Sequence, residues 1–118
     1  MVEVAALLEQ GYHVNEFDEL SRTPLHYAVE HEHYEVISQL LAAGANVNAH
    51  EPSMAGDTPL GRVAATCSLR LAAMLVKAGA DPIIPGFMKI TALDRARRRK
   101  RGDGPLVADL LERVARGR

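Results

Sequence analysis

The stretch Thr23-Pro24-Leu25-His26-Tyr27-Ala28 decides the fold, because its first three residues return as Thr58-Pro59-Leu60 and, more loosely, as Thr91-Ala92-Leu93. The intervals are 35 and 33 residues, the length of one supersecondary unit used again. A second marker keeps step with the first: Gly11-Tyr12-His13-Val14-Asn15, Gly44-Ala45-Asn46-Val47-Asn48 and Gly79-Ala80-Asp81-Pro82-Ile83. It recurs at 33 and 35 residues, and in both complete units the glycine follows the threonine by 21. Two markers in phase imply a stack of units, each too small to bury its apolar side alone.

Within the first complete unit, Thr23 is placed to cap a helix, and Pro24 takes a first-turn position where no N–H is needed. Leu25 and Ala28 mark its buried stripe, and His31-Glu32-His33 reads as the turn that ends it. A second helix from about Tyr34 to Ala43 has Val36, Ile37, Leu40 and Leu41 on one face and is stopped by Gly44. The second unit repeats the pattern: Thr58 caps, Leu60 and Val63 face inward, and Thr66-Cys67-Ser68 turns. Its second stripe is Leu71, Met74, Leu75 and Val76, ending before Gly79. In the third unit Thr91 and Asp94 have capping-box spacing, and Leu93 and Ala96 face inward. Gly102-Asp103-Gly104-Pro105 then leads into a helix expected to bury Leu106, Leu110, Leu111 and Val114. That turn and the connector from Asn48 to Asp57 are each two residues longer than their equivalents. Upstream, Val4, Leu7 and Leu8 read as a second helix lacking its first, which marks either a fragment or an end that docks on something.

One domain of 118 residues accommodates these units: a partial unit over 1–15 and repeats over about 16–48, 49–83 and 84–116. Hydrophobic residues make up 47% but aromatics only 4%, with no Trp, so small helices must pack through Leu, Val, Ile and Ala. Cys67 is the single cysteine, which excludes an internal disulfide and fits a reducing compartment. There is no basic leader and no run of 18 apolar residues, so the expectation is an intracellular protein, cytoplasmic, or nuclear if the host cell has a nucleus. The net charge of −1 hides a split. Residues 1–60 carry ten acids against Arg22 alone, and the remainder carries 13 bases against 5 acids. In a stack, that ordering becomes a dipole along its axis.

Thr23-Pro24-Leu25-His26-Tyr27-Ala28 matches the T-P-L-H-x-A signature of the ankyrin repeat, and Leu40-Leu41-Ala42-Ala43-Gly44-Ala45-Asn46-Val47-Asn48 is similar to that family's unit ending. The resemblance covers nearly the whole chain. It implies an all-α solenoid of stacked helix-turn-helix units with β-turn finger loops. The second unit departs with Gly61 in place of His and Val63 in place of Ala, and the third keeps Thr91, Leu93 and Ala96. At the inter-helix turn, where the family prefers Gly, this chain has Glu32, Cys67 and Lys100. His26 resembles the family's structural histidine, which braces neighbouring fingers by hydrogen bonds.

Catalytic and metal chemistry find little support in the residues. His31 and His33 are two apart and so do not share a helical face, and no H-E-x-x-H occurs. His13 and His50 lie in connectors without supporting groups. Cys67 stands between Thr66 and Ser68 with no suggestion of a base, no serine has a G-x-S-x-G context, and no glycine belongs to a phosphate-binding loop. The reading is a non-enzyme with no catalytic residues, no cofactor and no metal. The strongest charge signal is Arg95-Ala96-Arg97-Arg98-Arg99-Lys100-Arg101. It reads as a solvated, dipole-stabilising helix end or as a site for an acidic partner, and nucleic acid trails both, because no aromatic stacking residue interrupts it.

By the resemblance, partners bind a concave face made of finger tips and the exposed side of the first helices. The finger positions are Glu19, Leu20, Arg22, Met54, Ala55, Asp57, Phe87, Met88 and Ile90. The first-helix positions are Glu30, His31, Ala65, Thr66, Arg98 and Arg99. Phe87 and Met88 are large apolar residues in a loop, which either anchor a contact or fold back over the last unit. The function expected is protein–protein recognition, with the first fingers favouring a basic patch and the third unit an acidic one. Self-association head to tail is compatible with that polarity. Two alternatives stay open: a regulatory subunit or inhibitor of an enzyme or basic toxin, and a nucleic-acid-associated protein using the Arg95–Arg101 tract.

Overall fold

The computed structural model describes residues 13–51 and 56–117. Six α-helices follow one another in pairs there: α1 (Pro24–Glu30) with α2 (Tyr34–Ala42), α3 (Pro59–Val63) with α4 (Leu69–Lys77), and α5 (Ala92–Arg97) with α6 (Gly104–Arg116). A single 3₁₀ turn, Phe87–Lys89, precedes the third pair. No strand occurs among the described residues. The first helices stack in sequence order, α1 on α3 and α3 on α5, while α4 packs on α6. The upstream stripe of Val4, Leu7 and Leu8, and most of the long connector with Met54 and Ala55, lie outside the described residues.

Local chemistry explains several of the helix starts and stops. The Thr58 hydroxyl accepts from the Gly61 N–H at 3.0 Å. Thr91 and Asp94 form a reciprocal box, each side chain accepting from the other's backbone N–H at 3.0 Å. Ser68, read only as a turn residue from sequence, caps α4 by accepting from the Leu71 N–H at 3.1 Å. At the C-termini of α2 and α4, Gly44 (φ +94) and Gly79 (φ +99) take the left-handed conformation that a side chain would strain. The chain then closes back, with Ala45 N–H donating to Leu40 O and Ala80 N–H to Leu75 O, both at 2.9 Å.

Leu25, Val29, Ile37, Leu60, Leu71, Leu75, Val107 and Leu111 form an unbroken aliphatic core through all three units, and no aromatic side chain is among its fully buried members. Most of the predicted inward residues belong to it or pack partly buried against it. Leu106 does not: it is 55% exposed, and Val107 is buried instead. With α6 beginning at Gly104, Val107 and Leu111 at i, i+4 spacing form its buried stripe, and Leu106 lies one step, about 100°, off it. The turn where the family prefers Gly is left-handed at Glu32 (φ 49), but not at Cys67 or Lys100, and the longer third turn places Gly102 (φ 56) there instead.

Candidate partner-binding face

The finger side is built around a seam between consecutive units. His26, buried at the start of α1, sets its Nδ1 2.9 Å from the Thr23 backbone N and its Nε2 2.7 Å from the carbonyl oxygen of Asp57. Asp57 in turn faces the third finger. Its carboxylate lies 3.3 Å from the Arg95 guanidinium and accepts from the Phe87 backbone N–H at 3.3 Å. Gly86 makes that approach possible, since a Cβ on it would overlap the Asp57 carboxylate. Parallel to this run, Glu30 pairs with Arg62 of the next unit and, at 3.8 Å, with Arg22 of its own. In the first finger Asp18 accepts from the Tyr27 hydroxyl, which holds its carboxyl below the ordinary range, and from the Leu20 and Arg22 N–H groups.

Two adjoining cavities open on this face. One, of about 470 Å³, is bordered by the predicted Glu19, Leu20, Arg22, Asp57 and Phe87, together with Arg62 and Arg95. The other, of about 440 Å³, is bordered by Ala65, Ile90, Arg98 and Arg99, again with Arg95. Thus nine of the predicted positions border these two cavities, which share Arg95 and together make the groove of this face. Glu30, His31, Thr66 and Met88 border neither cavity. Leu20 and Phe87 are 64% and 56% exposed, and Phe87 does not fold back over the last unit. Sequence reasoning missed Arg62 and Arg95 as groove residues. The available signal was charge at repeat spacing, since Glu30 and Arg62 are 32 residues apart.

The inter-helix turns are also tied together. Glu32 accepts from the Ser68 N–H at 3.1 Å and from its hydroxyl at 2.6 Å. Burial pushes Glu32 up, but these bonds and one from the Tyr34 hydroxyl outweigh it and bring its carboxyl below the ordinary value. Arg70 stacks over the Tyr34 ring at 3.8 Å. Asp103 accepts from the Leu69 N–H at 2.8 Å, and Arg99 donates to the carbonyls of Ala64 and Cys67 at 3.2 and 2.8 Å. Cys67 is buried, and burial raises its thiol above the ordinary value, which keeps it protonated and inert.

A third set of bridges uses the second sequence marker. Asn15 donates to Gly44 O at 3.1 Å and accepts from the Asn46 N–H at 2.6 Å. One unit on, Asn48 does the same with Gly79 O at 3.1 Å and the Asp81 N–H at 2.7 Å. Two pairs, Glu30 with Arg62 and Asp57 with Arg95, join the acidic half of the chain to the basic half across unit boundaries. Among the described residues no three His, Cys, Asp or Glu side chains gather as metal ligands. No helix among them is long and apolar enough to cross a membrane.

Paired helices stacked in register, capped by Thr-Pro and bridged finger to finger, define a helical repeat solenoid. The chain belongs to the ankyrin-repeat family: the family model for ankyrin repeats (3 copies) matches residues 3–85. The third helical pair lies beyond that match, where the sequence departs furthest from the pattern. A stretch of 91 residues, 75% of the chain, is 41% identical to the mouse (Mus musculus) nuclear factor NF-kappa-B p105 subunit and covers 9% of that protein. Over 95 residues, 80% of the chain, it is 34% identical to the Arabidopsis thaliana protein named "Putative E3 ubiquitin-protein ligase XBAT34", covering 25% of it. The chain thus spans a quarter or less of these relatives' lengths. Ankyrin repeats generally mediate protein–protein interaction and are typically non-enzymatic.

Proposed function

We propose that this chain is a binding module, with neither cofactor nor catalytic residue, that recognises another protein through the concave, finger-side face. The observation that carries the reading is the convergence of Leu20 and Phe87, exposed apolar residues from fingers more than sixty positions apart, on one cavity rimmed by charged groups. Exposed apolar side chains surrounded by polar ones are the pattern of contact anchors. The bonds of His26, Asp57, Arg95 and Phe87 hold the fingers in fixed relation, so little conformational freedom is lost on binding. Charge then sets approach and partner choice, while the anchors set lifetime.

The test is affinity capture from cells of the source organism, comparing the native chain with Leu20→Ser/Phe87→Ser. Loss of a stoichiometric partner by the double variant, with its helical circular dichroism unchanged, is the expected result. An unaltered captured set would mean that the face is misassigned.

A further inference from the structure

The identity of the ligand chemistry is written in the groove. Resting on the concave-face reading above, we propose that the groove takes an acidic peptide segment of the partner, with an aliphatic or aromatic side chain seated between Leu20 and Phe87 and a carboxylate alongside Arg98.

The groove carries the guanidinium groups of Arg22, Arg62, Arg95, Arg98 and Arg99. Opposing them are the carboxylates of Glu19 and Asp57 at its border and Glu30 behind it, which leaves two cations in excess. The sequence places the acids in the first half of the chain, which points to a basic patch for the first fingers. The structure alters that balance in part, because four of the eight described acids of that half are engaged within the protein: Asp18 with Tyr27 and the finger backbone, Glu30 with Arg62 and Arg22, Asp57 with Arg95, Glu32 with Ser68. The Arg98 side chain, by contrast, is exposed and forms neither an ion pair nor a hydrogen bond among the described residues, so its guanidinium is available to a ligand carboxylate.

Size and apolar lining select a peptide over a polynucleotide. Cavities of about 470 and 440 Å³ each hold a few side chains. The carboxylates of Glu19 and Asp57 border the same space; a phosphate backbone would be repelled by them, whereas a peptide can turn backbone N–H groups toward them. Among the described residues at the groove, Phe87 is the one exposed aromatic side chain, His26 being buried, and one is too few for stacking successive bases, while Leu20 and Ile90 offer aliphatic contact.

Selection of a phage-displayed random peptide library on the full chain tests this. Recovered clones are expected to carry Asp or Glu flanking Leu, Ile or Phe. Arg98→Glu should weaken the recovered peptides by at least about tenfold, Arg98→Gln by less, and Phe87→Ser should weaken them with circular dichroism unchanged. The proposal is overturned by no enrichment, by basic or neutral clones, by indifference to Arg98→Glu, or by oligodeoxythymidine binding more tightly than the peptides. If the selection fails while partner capture still depends on Leu20 and Phe87, the ligand chemistry is wrong and the surface right. If neither experiment responds to those two residues, the surface itself is wrong.

Discussion

His26 and Asp57 lie 31 residues apart in the chain, yet an imidazole nitrogen of one meets the backbone carbonyl of the other at 2.7 Å. The second ring nitrogen faces the Thr23 backbone N–H at 2.9 Å. An N–H can only donate, so Nδ1 accepts and the ring proton sits on Nε2, donating to Asp57. Only the neutral imidazole satisfies both contacts, and it links the start of α1 to the finger of the following unit.

A pH dependence follows. Burial lowers the His26 pKa from its ordinary 6.5, and Arg22 and Arg62 push the same way against the Asp57 carbonyl. Below about 6.5 the unfolded chain binds a proton that the folded chain refuses, so acid favours unfolding. This part of the stability is complete above about pH 6.5 and declines as pH falls toward the folded-state value. Asp94 and Glu32, held below their ordinary 3.8 and 4.5, lose their contributions only at lower pH. Urea midpoints measured from about pH 7 to about pH 5 should fall for the native chain. His26→Gln should be less stable at neutrality but flatter across that window, and equal slopes in both proteins would refute the assignment.

Gly86→Ala should be costly for a reason two units share. Its new methyl group would meet the Asp57 carboxylate, which must then move away from Arg95 and the Phe87 N–H. We expect a loss of about 1–3 kcal/mol in urea denaturation, from the strain and the broken bonds together. In an Asp57→Ala background the same substitution should cost much less. Additive losses in that double-mutant cycle would show that the two residues act independently.

The asparagine bridges are expected to carry cooperativity between units. Asn48→Ala removes both contacts to the Gly79–Asp81 turn, and because the site is partly open, water replaces some of what is lost. A destabilisation of about 1 kcal/mol is expected, with a broadened transition as the last units unfold apart from the first. Hydrogen exchange should then rise in α5 and α6 ahead of α1. Uniform acceleration throughout the chain would contradict this.

How far these contacts were legible in the sequence depends on their kind. Thr58, Thr91, Gly44 and Gly79 act through backbone chemistry a few residues away, so their spacing announced the helix boundaries. The repeated Gly-to-Asn marker likewise pointed to a repeated bond, though not to its partner. Leu106 was misplaced because the phase of α6 depends on which residue starts it, and two extra turn residues blur that point by half a turn. Arg62 was not singled out and Arg95 was read only as part of a charged tract, because their roles depend on Glu30 and Asp57 of the preceding units, and no local pattern in a charged helix tells a bridging arginine from a solvated one.

The arginine tract itself offers the sharpest check on that distinction. Seven residues long from Arg95 to Arg101, it reads as one block of charge, yet its side chains have separate duties. Arg95 meets Asp57, Arg97 meets Glu112 at 2.7 Å, and Arg99 donates to two carbonyls at the end of the second unit's first helix. Arg98, Lys100 and Arg101 form no such bond among the described residues. Arg99→Ala leaves the Ala64 and Cys67 carbonyls without their donor and removes a cation from a helix C-terminus, for an expected loss of about 1–3 kcal/mol. Arg99→Lys should recover only part of it, since one ammonium on a flexible stem replaces a planar fork. Alanine at Arg98, Lys100 or Arg101 should shift stability by no more than about 0.5 kcal/mol. Urea midpoints for these single variants separate the two groups; a uniform effect along the tract would mean that it acts as a block of charge after all.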